Sequence, residues 1–172
     1  MKSGVLWLTG LSGAGKTTIA NNIISSLKQK NYRPILLDGD VMRSILKQRG
    51  FDEQSRKEYN LLIGQLASLL ENNNHFVVAA LISPYRKIRE EIKGLCKHFI
   101  EVYVATDLET CKARDPKGLY KKALAGEIEN FTGISAPYEI PLQPEIILNT
   151  ALLSQAAANN ILLTYLQSNE FI

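Results

Sequence analysis

One eight-residue segment constrains the fold of this chain more than any other. Residues 10–17 read Gly-Leu-Ser-Gly-Ala-Gly-Lys-Thr and match the pattern G-x-x-x-x-G-K-[ST] without deviation. An apolar run from Gly4 to Thr9 precedes the segment and predicts a buried strand, and the spacing from Lys16 to Lys28 predicts a helix. A strand, a glycine-rich loop and a helix in this order predict a loop whose backbone N–H groups enclose phosphate oxygens.

The rest of the chain alternates apolar runs with helical patterns. Further strands are predicted at 33–37, 76–82, 99–104 and 146–148. Further helices are predicted at 41–48, 55–71, 85–95, 108–113 and 152–166. Strands that are apolar throughout and alternate with helices predict an α/β fold of the P-loop NTPase type, in which helices flank a parallel sheet of about five strands. We find no linker, repeat or low-complexity tract, and we expect residues 1–172 to form a single domain.

Composition excludes several classes of protein. The 172 residues are 45% hydrophobic and 22% charged, which is typical of a globular domain and not of a disordered chain. The net charge of +3 comes without a dense basic run, so we expect no nucleic-acid partner. The apolar run near the start is too short for a signal peptide or a membrane span, and Cys96 and Cys111 lack metal or redox spacing. We therefore expect no membrane contact and a cytoplasmic location.

The glycine-rich segment predicts binding of ATP and Mg²⁺. Lys16 is expected to reach the β and γ phosphates, and the Thr17 hydroxyl is expected to bind Mg²⁺. The other cofactor-binding candidates belong to the same loop or follow it directly: Gly10, Ser12, Gly13, Ala14, Gly15 and Thr18. No Asn-Lys-x-Asp motif is present, which counts against a GTPase, and the chain is short for a mechanochemical ATPase. A segment rich in Lys and Gly at 115–126 lacks apolar periodicity and predicts a mobile lid over the phosphates, as in a small-molecule kinase.

Two carboxylates follow the second predicted strand. Asp38 and Asp40 are expected to organise Mg²⁺ and to orient or deprotonate an attacking hydroxyl, although either could simply cap the helix predicted from Val41. Arg43, on that helix, could hold an anionic acceptor with two hydrogen bonds. At the end of the third predicted strand, Ser83 is interpreted first as a helix cap, ahead of a role in the chemistry.

Several longer segments resemble the adenylyl-sulfate kinase family over nearly the whole chain. Besides the phosphate loop, they are Leu-Asp-Gly-Asp at 37–40, Ile-Ser-Pro-Tyr-Arg at 82–86, Arg-Asp-Pro-Lys-Gly-Leu-Tyr-Lys-Lys-Ala at 114–123, Gly-Glu-Ile at 126–128, Phe-Thr-Gly-Ile at 131–134 and Pro-Tyr-Glu at 137–139. P-loop kinases in general do not share the last groups. The resemblance implies transfer of the γ-phosphoryl group of ATP to the 3′-hydroxyl of adenylyl sulfate.

The resemblance also implies roles for individual residues. It identifies 114–126 as the lid, with Arg114 on the ATP side, and it places Phe51 and Phe131 on the acceptor base. It implies further acceptor contacts at Arg56, Ile82 and Lys117. The serine that matches Ser83 is commonly assigned as a phosphoserine intermediate in that family, although direct transfer is physically sufficient. A homodimer is one assembly that the resemblance leaves open.

Departures from the family pattern lie on the acceptor side. They are Ser55, Tyr59, Leu61, Leu62, Leu81, Leu124 and Ser135, where the pattern has mostly Asp, Asn, Arg or Phe. Loss of charged and amide groups would change how a sulfate-bearing nucleotide is held. Two acceptors therefore stay open, adenylyl sulfate first and, as in divergent capsule-pathway relatives, cytidine diphosphoramidate second. A nucleotide-binding regulator without catalysis is a third reading, and the intact Lys16, Thr17 and aspartate pair argue against it.

Overall fold

A computed structural model describes residues 1–47 and 50–172 of the chain. In that part of the chain the strands are β1 (Gly4–Thr9), β2 (Ile35–Asp38), β3 (Phe76–Ala80), β4 (Phe99–Val104) and β5 (Ile146–Leu148). They form a single five-stranded sheet in the order β2-β3-β1-β4-β5, and every pairing is parallel. The prediction of a parallel sheet of about five strands is confirmed.

Helices cover both faces of this sheet. In chain order they are α1 (Lys16–Gln29), α2 (Gly39–Ile45), α3 (Glu53–Asn72), α4 (Arg86–Leu95), α5 (Leu108–Arg114), α6 (Leu119–Leu124) and α7 (Gln155–Ser168). The central strand β1 shows why two layers are needed: Leu6 and Leu8 pack on the side of α1 and α7, whereas Val5 and Trp7 pack on the side of α3 and α4. All four side chains are fully buried, so the three-layer α/β architecture is confirmed.

Most predicted boundaries differ from the observed ones by one to three residues, and two of these differences lie at strand ends that carry candidate site residues. The helix predicted at 41–48 begins at Gly39, because Oδ1 of Asp38 accepts hydrogen bonds from Asp40 N and Val41 N and so caps it. Its predicted end, Gln48, lies outside the described residues. The third strand ends at Ala80, two residues earlier than predicted, and Leu81 and Ile82 continue as irregular chain.

Residues 115–126 were predicted as a surface segment without regular structure, and this prediction is wrong in part. Residues 119–124 form helix α6, and within it Tyr120 and Ala123 are buried against the core. The carboxylate of Asp115 accepts hydrogen bonds from Tyr120 N and Lys121 N and so satisfies the start of the helix. Two buried positions in a six-residue helix are too few for a periodic pattern, which is why the sequence did not reveal it.

The capping role predicted for Ser83 is also wrong. Helix α4 begins at Arg86, and Ser83 lies three residues before it with a positive φ of 45°. The carboxylate of Glu139, distant in sequence, accepts the hydrogen bond from Arg86 N at 2.7 Å. A distant side chain therefore satisfies the end of this helix, and the Ser83 hydroxyl is available for other partners.

No helix in the described part of the chain is long and apolar enough to cross a membrane. Cys96 and Cys111 are both free thiols.

Candidate functional site

The site residues lie beyond the carboxyl ends of the parallel strands, where α/β sheets bind ligands. The phosphate loop leaves β1 at Gly10, and the two aspartates lie at the end of β2. Ser83 follows β3, Thr106 follows β4, and Thr150 follows β5. All five strands therefore deliver polar groups to one edge of the sheet.

The phosphate loop has the backbone shape that its glycines permit. Gly13 has a φ of 73° and Gly15 has a φ of 100°, which are backbone angles that residues other than glycine rarely adopt. A Cβ on Gly13 would also lie only 3.1 Å from the carbonyl oxygen of Cys111. The positive φ at Gly15 turns the chain into α1, so the amide groups of the loop and the N-terminus of that helix are together in one place.

Lys16 points back over this loop. Its Nζ donates to the carbonyl oxygens of Gly10, at 2.9 Å, and Leu11, at 2.7 Å. Burial lowers the pKa of Lys16 to about 8, because the enclosed loop desolvates the ammonium group. A phosphate anion at this place would restore a charge partner, so the loop is built to receive one.

Thr17 and Asp38 form the candidate magnesium site. The Thr17 hydroxyl donates to Oδ2 of Asp38 at 2.8 Å, while Oδ1 of the same carboxylate caps α2. A hydroxyl and a carboxylate oxygen side by side are the hard oxygen donors that Mg²⁺ prefers, directly or through its water ligands. These residues therefore fit the metal that the phosphate loop implies, and capping and metal binding are compatible uses of one carboxylate.

Arg114 was predicted from the sequence to lie on the ATP side, but the residues that it contacts there were not predicted. Arg114 donates from Nη1 to Oγ1 of Thr150 and from Nη2 to the carbonyl oxygen of Thr150, each at 2.7 Å. The hydroxyls of Thr150 and Thr106 both donate to the carbonyl oxygen of Ala14 in the phosphate loop, at 2.8 and 3.1 Å. Neither threonine was predicted, because isolated threonines 44 residues apart carry no local pattern.

Besides Arg114, two residues of the predicted lid segment, 114–126, reach the site. Lys117 forms an ion pair with Asp40, which joins the lid to the second carboxylate. The Tyr120 hydroxyl donates to the carbonyl oxygen of Ser12 at 2.9 Å, and its ring contacts Phe131 edge-on, with 5.0 Å between ring centres. The lid is thus connected to the phosphate loop, to Asp40 and to the segment that carries Phe131.

The predicted acceptor side includes residues of α2, of α3 and of the segment between them. The Arg43 guanidinium lies between the rings of Phe51 and Tyr59 and donates to the carbonyl oxygen of Gly50 at 3.1 Å. Arg56 donates to Oγ1 of Thr132, at 2.5 Å, and to the carbonyl oxygen of Asn130. Arg56 therefore connects α3 to the segment that carries Phe131, and an additional contact with the acceptor stays a prediction.

Ser83 is buried in a hydrogen-bonded group. Its hydroxyl donates to Oδ1 of Asn60 and accepts from the indole Nε1–H of Trp7, both at 3.0 Å. The carbonyl oxygen of Ser83 accepts from Arg89, whose guanidinium also pairs with Glu101. Both functions of the hydroxyl are thus occupied by protein groups. The sequence did not reveal Trp7, Asn60 or Arg89 as its partners.

The departures from the family pattern do not form one surface. Leu62 and Leu124 are largely exposed, Leu61 packs on the core, and Ser55 and Ser135 make local hydrogen bonds with Asp52 and with Phe131 N. Leu81 and Tyr59 are buried beside Gly39: a Cβ there would lie 3.4 Å from Leu81, and the Tyr59 hydroxyl donates to the Gly39 carbonyl oxygen. These two departures therefore lie next to the aspartate pair.

A cleft of about 630 Å³ opens beside the phosphate loop at Leu11 and Thr106. Its other walls come from Tyr103, Asp107, Leu108 and residues 133–138 and 140. None of the residues predicted from sequence as site residues lines it.

The fold and the site define a phosphotransferase of the P-loop type, with a lysine-bearing phosphate loop, a threonine–aspartate pair and a predicted lid segment. The model of the adenylylsulphate kinase family matches residues 2–149. The chain belongs to this family.

Individual relatives agree with this assignment. The chain is 45% identical to a probable adenylyl-sulfate kinase of Bacillus subtilis, a match that covers 96% of this chain and 86% of the relative. It is 50% identical to the adenylyl-sulfate kinase of Rippkaea orientalis over 86% of this chain and 82% of that one. The structure of the Mycobacterium tuberculosis APS kinase CysC in complex with AMPPNP and APS superposes with a TM-score of 0.92 at 34% identity, covering 96% and 98% of the two chains.

Proposed function

We propose that this protein transfers the γ-phosphoryl group of Mg·ATP to the ribose 3′-hydroxyl of a nucleotide that bears a second anionic group, and that adenylyl sulfate is this acceptor. One observation carries the proposal: Lys16 lies over the phosphate loop, and the Thr17 hydroxyl donates to Asp38, two residues before Asp40. Membership of the adenylylsulphate kinase family supports the choice of acceptor.

The ATP side has a defined division of labour. The backbone N–H groups of Gly13 and Gly15 and the start of α1 bind the phosphates, with Ser12, Ala14 and Thr18 in the same loop. Lys16 neutralises the charge that develops on the transferred group. Thr17 and Asp38 would hold Mg²⁺, which would supply electrostatic stabilisation of the transferred group. Arg114 contacts the nucleotide from the lid side.

The acceptor side positions the attacking hydroxyl. Asp40 accepts the hydroxyl proton as the acceptor oxygen bonds to the γ phosphorus and the bond to the β–γ bridging oxygen breaks. Lys117 pairs with Asp40 and keeps a cation beside the reacting groups. The backbone of Ile82 lines the acceptor, and the rings of Phe51 and Phe131 stack on its base. Arg43 and Arg56 contribute positive charge for the second anionic group.

Ser83 acts in this proposal as a positioning residue, and transfer is direct. Its hydroxyl is held between Trp7 and Asn60, and the residue is 2% exposed. Formation of a phosphoserine would require the hydroxyl to leave both partners and a dianionic group to enter that buried place. Asp40, which follows β2, offers a simpler route for the proton than Ser83, which follows β3.

Cytidine diphosphoramidate is a second candidate acceptor. A specific observation favours it: Tyr59 and Leu81, both departures from the family pattern, lie against Gly39 between the two aspartates. A pocket altered on the acceptor side alone would keep its ATP site and change its acceptor.

The deciding experiment measures acceptor-dependent ADP release from the wild-type protein with both acceptors. If adenylyl sulfate is the natural acceptor, its kcat/KM should exceed that of cytidine diphosphoramidate by about a hundredfold or more, the scale of two lost polar contacts. A reversed ratio would transfer the proposal to the second candidate. Absence of ADP release with either acceptor, under conditions where ATP binds, would support a regulator without catalysis instead.

We further propose that residues 1–172 act as a single kinase domain in the cytoplasm, with 114–126 as the lid. The two free thiols suit a reducing compartment.

A homodimer is proposed as the working assembly, and light scattering coupled to gel filtration would test it by the mass of the particle. A monomeric mass at assay concentrations, with full activity, would contradict this assembly.

A further inference from the structure

The guanidinium of Arg43 lies between two aromatic rings that differ in their surroundings. Its central carbon is 4.1 Å from the centre of the Tyr59 ring and 4.7 Å from that of the Phe51 ring. Tyr59 is 3% exposed, whereas Phe51 is 54% exposed. The Tyr59 ring is therefore packed in the protein interior, whereas about half of Phe51 is exposed to solvent.

Contacts hold both the ring and the hydroxyl of Tyr59 in place. Its ring belongs to the buried cluster that includes Leu37 and Leu81. Its hydroxyl donates to the carbonyl oxygen of Gly39 at 2.5 Å, and burial raises the pKa of Tyr59 to about 12, so the hydroxyl stays protonated as a donor. Because Gly39 separates Asp38 from Asp40, this hydrogen bond also ties α3 to the two carboxylates.

Arg43 carries a positive charge that protein carboxylates do not neutralise directly. No aspartate or glutamate of residues 1–47 and 50–172 forms an ion pair with it. Burial lowers the pKa of Arg43 from its ordinary value, yet a guanidinium keeps its charge near neutral pH. A planar cation held between rings is suited to bind an oxyanion with two parallel hydrogen bonds.

We propose that Tyr59 is a positioning residue that holds Arg43 against the anionic group of the acceptor nucleotide. The inference rests on the proposed function. Phe51 can leave Arg43 and stack on the acceptor base, while Tyr59 stays against the guanidinium by attraction between the cation and the ring. The ligand group is a tetrahedral oxyanion on a nucleotide, such as a sulfate or a phosphoryl group.

A purely structural role for the Tyr59 ring makes a different prediction. A ring that only fills space would change stability, and it would affect both substrates alike or neither. A ring that aims Arg43 would change the binding of the acceptor and leave the KM of ATP unchanged, since Lys16 and Thr17 hold the ATP without it.

The first test compares Tyr59→Leu with Tyr59→Phe in steady-state assays with adenylyl sulfate and ATP. Tyr59→Leu should raise the KM of the acceptor roughly tenfold, the scale of one partly desolvated cation–π contact, with the KM of ATP within about twofold. Tyr59→Phe keeps the ring and should stay within about threefold of wild type. Tyr165→Leu, on the remote helix α7, is the matched control and should leave both KM values unchanged. An unchanged acceptor KM in folded Tyr59→Leu would overturn the inference.

A double-mutant cycle tests whether Tyr59 acts through Arg43. Once Arg43→Met has removed the guanidinium, Tyr59→Leu should raise the acceptor KM by less than about twofold more. A full additional tenfold rise would show that Tyr59 acts on the acceptor by another route, and it would overturn the inference.

A readout that needs no turnover separates this inference from the proposed function. The Nε–H signal of Arg43, assigned by its disappearance in Arg43→Met, should show an ordered side chain in wild type and in Tyr59→Phe by ¹⁵N relaxation. It should become mobile in Tyr59→Leu or, if that variant does not fold, in Tyr59→Met, which also lacks the ring. An equally ordered signal in the ring-deleted variant would refute the positioning role. Ordered Arg43 without turnover of either acceptor would instead count against the proposed function alone.

Discussion

The two halves of the site differ in whether mainly backbone groups or mainly side chains form them. The ATP half consists mainly of backbone: consecutive residues from Gly10 to Thr17 supply N–H groups, a helix N-terminus and a lysine that folds back on its own loop. The proposed acceptor half consists of side chains from α2, α3 and the segment between them, which other side chains hold in place, such as Arg43 beside two rings. A backbone site tolerates little change in its sequence motif, whereas a site of packed side chains can change its ligand by a few substitutions.

The largest effect expected from a single substitution falls on the ATP half. Lys16→Ala should lower kcat by about a thousandfold or more, because it removes the ammonium group that lies over the phosphate loop and neutralises the transferred group. The measurement is ADP release at saturating ATP and acceptor. Lys28→Ala, on an exposed turn of the same helix, is the control and should behave as wild type. Turnover near wild type in folded Lys16→Ala would refute the assignment of the phosphate loop.

The next effect concerns the carboxylate that joins the two halves. Asp38→Asn keeps an oxygen that can cap α2 but removes the charge beside Thr17, so the Mg²⁺ concentration at half-maximal rate should rise and kcat should fall by about a hundredfold. Asp107→Asn removes the charge of a comparable helix cap, at the start of α5, and should leave the Mg²⁺ dependence unchanged. An unchanged Mg²⁺ dependence in Asp38→Asn would contradict the proposed metal site.

Two arginines test the comparison directly. Arg114→Met should raise the KM of ATP roughly tenfold with little change for the acceptor, and Arg43→Met should do the reverse, because each loses one charged contact to a different substrate. The measurement is the KM of ATP and the KM of the acceptor in each variant. Changes in both KM values in both variants would mean that the two halves are not separable.

The smallest effect on catalysis is expected for Ser83. Ser83→Ala leaves Trp7 Nε1–H and Asn60 Oδ1 unpaired, so the free energy of unfolding should fall by about 2 kcal/mol while kcat stays within tenfold of wild type. Denaturant unfolding and ADP release measure the two quantities. Ser154→Ala, which removes a helix cap at α7, should lose about 1 kcal/mol with full activity. Abolished turnover in Ser83→Ala with normal folding and ATP binding would favour a phosphoserine.

Secondary-structure prediction from the sequence succeeded where the signal was local. The apolar runs of β1, β4 and β5 and the periodic patterns of α1, α3 and α7 are all present within a few residues of their predicted bounds. It failed where a distant group decided the outcome. Glu139 satisfies the start of α4 in place of Ser83, and α6 depends on burial of Tyr120 between Ser12 and Phe131.

The sequence by itself determined the phosphate loop, the parallel sheet and the positions of Asp38 and Asp40 at a strand end, because a short range of residues encodes backbone geometry. Only the tertiary structure decided what each side chain does there. It brought Thr150 and Thr106 to the phosphate loop, enclosed Ser83 between Trp7 and Asn60, and placed the ring of Tyr59 beside Arg43. These contacts join residues far apart along the chain, and their geometry depends on packing that no local pattern records.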